Sequence, residues 1–372
     1  MITIMQGLSG SVPLYMVTDL IWTSSASSCG CKIFVNDESI YNECLHTLNG
    51  TFVVYDFYTL LRPYVYKKLK VSLSIYIWEN GSPSDGFEST IHVFTDNTKP
   101  SGIEYTLLTC SIIYCTVELC NGDNFIDFED FCKDHFLTVL MGRKTTGMGR
   151  LEFLHYLGTE AASVLARYSD GTMATFTPPA VKGSDVYTTI DVSPNRFVSE
   201  GKTLISFTAT AGSRSQTFVI DLDQPDCAPI LLFTNSFGVE ELLYCTGTHR
   251  LSYQFDRLQS SYIRNNRSYL HNSSIKETRK FSADTGYLTV AEQNWATELF
   301  RSDYVRVVNF KDGQPVVGKE ITITDSKSEV DNSPEQLARF TFDYEYAQTN
   351  HNVVDLSRAG RIFDNTFDYT FN

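Results

Sequence analysis

From Arg339 to Tyr346 the aromatic side chains fall on every second position: Phe340, Phe342, Tyr344 and Tyr346, with Thr341, Asp343 and Glu345 between them. The segment 362–372 repeats the pattern, with Phe363, Phe367, Tyr369 and Phe371 in one phase and Asp, Thr and Asn residues in the other. Side chains alternate faces along a strand, so each stretch carries one aromatic and one polar face. An aromatic face must be covered, either by the chain's own sheet or by a neighbouring subunit. Phe363, Phe367, Tyr369 and Phe371 are therefore candidate interface residues, and the pattern points to packing and assembly rather than to chemistry.

The rest of the composition agrees with strands. The 372 residues include 25 Phe and 21 Tyr, and 42% are hydrophobic, enough to build cores and too apolar for a disordered chain. We expect a mainly β protein of β-sandwich-like domains with a few short helices, organised in several domains. Turn-rich stretches at Asp96–Gly102 and Pro178–Asp185 divide it into 1–97, 98–182 and 183–372. A net charge of −14 repels phosphates and anionic lipid, so general nucleic-acid and membrane-surface roles are not expected. No stretch approaches the roughly 20 apolar residues of a membrane span. The first basic residue is Lys32, so no export signal is expected. The nine cysteines then read as free thiols, without a structural metal.

Within the chain, Asn49-Gly50 between Tyr41–Leu48 and Thr51–Val54 predicts a β-hairpin. Asp56 is expected to cap a short helix over Phe57–Leu61 that Pro63 stops or kinks. Thr106–Cys120 reads as a buried strand, and Ala291–Phe300 as a helix with a stripe of Ala291, Trp295 and Leu299. Arg257–Ser282 is rich in Asn, Ser and basic residues and reads as a long exposed loop or extended arm.

Motifs that carry chemistry are weak. The acidic run Asp123–Asp130 lacks the glycine of a calcium loop and reads instead as a turn capping the next helix. Gly142–Arg150 lacks the Gly-Lys-Ser/Thr ending of a phosphate loop and reads as a flexible basic loop. The seven histidines form no metal-ligating spacing, and no nucleophile elbow is present. We expect no catalytic residues, no cofactor and no enzyme activity. Trp22 and Trp78 are the candidates for glycan stacking in an alternative reading, a carbohydrate- or receptor-binding β module. A hydrolase site assembled across domains is a second alternative.

Four segments, Asp134–Leu140, Leu232–Glu241, Phe281–Leu288 and Asn352–Asp364, resemble uncharacterised virion structural or tail-associated proteins of Bacteroides-type phages and prophages. The resemblance implies a structural subunit of a tailed-phage particle, in the tail, tail-tip or adaptor region. Its partners would be other copies of itself, as a homo-oligomer, and other virion proteins. Its place would be the virion, after synthesis in the bacterial host cytoplasm. It supplies no catalytic residues.

Overall fold

A computed structural model describes residues 1–6, 8–47, 49–80, 97–181, 187–223, 225–311, 314–327 and 338–349, the side chain of Lys67 excepted. Strands dominate, and three α-helices occur among the described residues: α1 Phe57–Lys68, α2 Phe128–Asp134 and α3 Val290–Arg301. The chain forms two compact units, Met1–Phe131 with Ser236–Gly238, and Cys132–Asn235 with Val239 onward. The expected boundary at Pro178–Asp185 separates nothing, because Ala162–Tyr168 pairs with Leu204–Ala211 across it. Proline and glycine mark a turn, but strand pairing decides whether a turn divides domains.

In the first unit a five-stranded sheet runs in the order Gly10–Pro13, Thr106–Ile113, Lys70–Glu79, Ser28–Val35, Glu38–His46. A three-stranded sheet, Thr3–Gln6, Leu20–Thr23 and Thr51–Val54, lies with α1 against the same core. Cys29, Cys31, Ile33 and Val35 share that core with Trp22, Phe52, Phe57 and Leu61. Asn49 and Gly50 do take positive φ, but their flanking strands enter different sheets. The two-residue turn is Asn36-Asp37, which joins Ser28–Val35 to Glu38–His46. Turn chemistry predicts a reversal; it does not name the strand's partner. Helix α1 runs through Pro63, within its second turn, and extends to Lys68. The apolar run ends as a strand at Ile113 with a half-buried pattern, not at Cys120.

Among its described residues the second unit holds three sheets. Five strands run Arg143–Thr146, Arg214–Ile220, Leu204–Ala211, Ala162–Tyr168, Met173–Phe176, and three run Phe153–Tyr156, Thr188–Asp191, Ala180–Val181. These share a core that includes Tyr156, Val164, Ile190, Phe207 and Phe218. Arg143–Thr146 is thus an edge strand, parallel to Arg214–Ile220, and not the flexible loop expected from its glycines. The third sheet is seven-stranded and antiparallel throughout: Glu240–Tyr244, Ile230–Thr234, Val305–Lys311, Gln314–Lys327, Thr341–Tyr346, Arg267–Asp284, His249–Arg264. Phe340, Phe342 and Tyr344 point into its core beside Trp295, Ala296 and Leu299 of α3, while Thr341 and Asp343 stay exposed, as the alternation requires. A capping box starts α3: Thr289 accepts from the Glu292 N–H, and Glu292 accepts from the Thr289 N–H.

Candidate assembly surface

The edge of the seven-stranded sheet leaves the body of the second unit. Arg267–Asp284 pairs with the aromatic strand only through the rungs Asp284↔Thr341 to Lys280↔Glu345. Among the described residues, beyond Lys280 it pairs with His249–Arg264 alone, as a ribbon closed by Asn265-Asn266 at φ 51° and 58°. Both turn residues sit in the left-handed region, as a tight primed hairpin turn demands, and Asn tolerates that conformation. The two-stranded part, Tyr253–Arg264 with its partner strand, extends about 40 Å at the usual strand rise. The expected loop is therefore a β-hairpin arm; polar composition hid alternation that strand pairing makes visible.

The arm keeps the two faces of the sheet it grows from. At its base His249 packs beside both Phe281 and Tyr344, with ring centroids 5.8 and 6.0 Å away, and its Nε2 lies 2.8 Å from the Tyr344 hydroxyl. Phe281 and Tyr344, paired across strands, stack at 4.8 Å. The same face continues outward through Tyr253, Phe255, Ile275, Leu270 and Ile263, with a Gln259–Asn272 hydrogen bond of 3.1 Å between. These five side chains are 44–78% exposed, from Phe255 at the low end to Ile263 at the high end. On the opposite face Tyr262 and Tyr269 stack at 5.5 Å near the tip. Register shifts between Leu258 and Gln259, which leaves Ser273 as an extra residue whose hydroxyl donates to the Leu258 carbonyl.

Charge separates the arm from the rest of the chain. Residues 249–280 hold seven Lys or Arg and two Asp or Glu, a net of +5, leaving −19 on the remaining residues. Arg279 lies 5.4 Å from the Tyr253 ring and Arg257 lies 5.7 Å from the Phe255 ring. Arg264 and Arg267 face each other across the closing rung. Like charges directly opposite destabilise a ribbon.

The two tryptophans picked from sequence are not part of this surface. Phe363, Phe367, Tyr369 and Phe371 lie outside the described residues. Trp22 is 0% and Trp78 1% exposed, so neither ring face is open to a sugar. Trp22 stacks on its cross-strand partner Phe52 at 5.6 Å. Trp78 lies across Gly30 of the neighbouring strand, where a Cβ would sit 2.0 Å from the indole. The arm was visible in sequence as the one basic, Asn/Ser-rich stretch of an acidic protein, but its apolar face was not.

A polar cluster lies inside the second unit. Lys144 Nζ lies 2.7 Å from Glu152 and 4.3 Å from the Trp295 ring centroid, and Thr146 donates to Glu152 at 2.8 Å. Trp295 Nε1 donates to Glu241 at 2.9 Å. Burial pushes the Glu241 carboxyl above its ordinary value, and Lys144 opposes that rise. Glu292 spans the capping box and the Thr145 N–H. The adjoining cavity is about 80 Å³, well below the roughly 300–1,000 Å³ of ligand pockets. These charges tie α3 to the edge strand Arg143–Thr146. Asp127 caps α2 through the Glu129 N–H, as its run predicts. Among the described residues no three His, Cys, Asp or Glu side chains are grouped to hold a metal ion. None of the nine cysteines is in a disulfide.

No protein-family model matches this chain, and no curated protein does. Among solved structures, the tail of an empty GTA particle, refined with helical C6 symmetry, matches 32% of this chain and 91% of its own, at 12% identity and a TM-score of 0.23. Rst D1-D2 matches 59% of this chain and 98% of its own, at 8% identity and a TM-score of 0.25. The titin fragment I67–I69 matches 76% and 93%, at 9% identity and a TM-score of 0.18. Scores this low establish no common fold. No helix among the described residues is long and apolar enough to cross a membrane.

Proposed function

We propose that this chain is a structural subunit of a tailed-phage particle, in the tail, tail-tip or adaptor region, and that it acts by protein–protein assembly. The observation that carries assembly is the arm, which extends a core face of the sheet into solvent. An isolated two-stranded ribbon is marginal in water, and an exposed strand edge is a template for pairing. A partner that covers the apolar face and binds the facing arginines would remove both costs. The four segments that resemble phage tail-associated proteins support the particle. In this role the chain resides in the virion and needs neither catalysis nor a cofactor.

Negative-stain electron microscopy of the purified chain at several concentrations, alone and with the other proteins of its particle, tests the assignment. Rings, stacks, tubes or incorporation into a mixed assembly are the expected result. Particles of monomer size under every condition would overturn it, and so would turnover of a glycan or peptide panel by that monomer.

A further inference from the structure

We infer that the partner of the arm is a second copy of this chain, and that the arm seats on the copy's acidic surface rather than on the copy's arm. The inference rests on the assembly role and names the partner. Two arms at +5 each repel, whereas +5 against −19 attracts. The Arg264–Arg267 rung adds to this, because an anionic neighbour relieves a pair that is unfavourable in the free ribbon. The apolar face, Tyr253, Phe255 and Ile275 beside Arg257 and Arg279, calls for a receiving surface that is both acidic and partly apolar.

The chain carries such a surface. Glu118–Asp130 holds five acids and no base, the densest acidic stretch in the sequence, and its short hairpin pairs Cys120–Asn121 with Asn124–Phe125. Glu118, Asp123, Asp127, Glu129 and Asp130 are exposed there, and Phe125 stands 49% exposed among them. A basic ribbon with an aliphatic and aromatic face matches it in charge and in apolar content. A head-to-tail contact of this kind joins two different surfaces, so it propagates into rings or filaments instead of stopping at a symmetric pair.

The test is sedimentation velocity on the full chain with two sets of exposed substitutions. The arm set is Arg257→Glu, Arg264→Glu, Arg267→Glu and Lys276→Glu; the body set is Glu118→Lys, Asp123→Lys and Glu129→Lys. The unsubstituted chain should self-associate roughly tenfold more weakly when salt rises from about 0.05 M to about 0.5 M. Each set alone should lose self-association while keeping its circular dichroism spectrum, and mixing the two should restore association, since each chain then complements the other. Association that strengthens with salt would show arm-on-arm contact and overturn the inference. So would reversed arms that still self-associate, or a mixture that stays dissociated. A chain that stays monomeric alone yet enters a mixed particle would also overturn it, while leaving the structural role intact.

Discussion

Lys144→Met is the substitution whose cost follows most directly from the geometry. Lys144 and Glu152 are 11% and 3% exposed, and their charges meet at 2.7 Å. Methionine keeps the apolar stem against Trp295 but removes the ammonium. Glu152 is then left with the Thr146 hydroxyl as its donor, at 2.8 Å. Breaking a buried pair by removing one partner costs about 3–5 kcal/mol, and the retained Thr146 bond puts the expected loss at the low end, about 3 kcal/mol. Replacing both, as Lys144→Met with Glu152→Gln, removes the uncompensated Glu152 charge and should recover most of that loss, the remainder reflecting the attraction of Lys144 for Glu241. Urea unfolding followed by Trp295 fluorescence in a Trp22→Phe, Trp78→Phe background reads the second unit. With a slope of about 2–3 kcal/mol/M, the single substitution should lower the midpoint by about 1 M. A shift under about 0.2 M, or a double variant as unstable as the single, would refute the claim that the pair is buried and mutually dependent.

Three other perturbations probe the cores. Gly30→Ala places a Cβ 2.0 Å from the Trp78 indole, so thermal unfolding should show a loss of about 1–3 kcal/mol. Phe342→Ala empties a fully enclosed site and should cost about 3–5 kcal/mol, whereas Thr341→Ala on the exposed face should stay within about 0.5 kcal/mol by the same measurement. Burial lowers the His155 pKa from 6.5 to about 4, with Thr189 and the Glu240 carbonyl as its ring partners. The unfolded ring gains its proton at higher pH than the folded one. Stability should therefore fall as pH drops from about 6.5 to about 4, by up to about 3 kcal/mol from this group. Denaturation midpoints across that window should be flatter for His155→Gln.

The alternation at Phe340–Tyr346 was legible because strand period and burial coincide: the rings lie inside and Thr341 and Asp343 lie outside. Helix α3 was legible too, since Trp295 and Leu299 share its buried stripe and its capping box is local. Pairing was not. Asn49-Gly50 looks like a hairpin turn on its own, yet Thr51–Val54 goes to Leu20–Thr23, because long-range burial outweighs the local turn. Gly142–Arg150 looked mobile for its glycines, and only the fold shows Lys144 turned inward to Glu152. The two tryptophans offered sugar stacking only as an alternative, because amphipathic aromatics occur at both cores and sites; Gly30 and Phe52 settle them as core. In the arm, the bases of 250–280 advertised exposure, while Tyr253, Phe255 and Ile275 became one face only when the rungs put them together.

The arm is the part of the account most open to direct test. Residues 255–277 can be replaced by Asn-Gly, joining Gln254 to Thr278, a pair already in register. Sedimentation velocity of this shortened chain against the full one, at matched concentration, decides the matter. We predict assemblies for the full chain and monomers for the shortened one, with the sheet's circular dichroism spectrum unchanged. Equal assembly by both chains would contradict the assignment of the arm as the assembly surface.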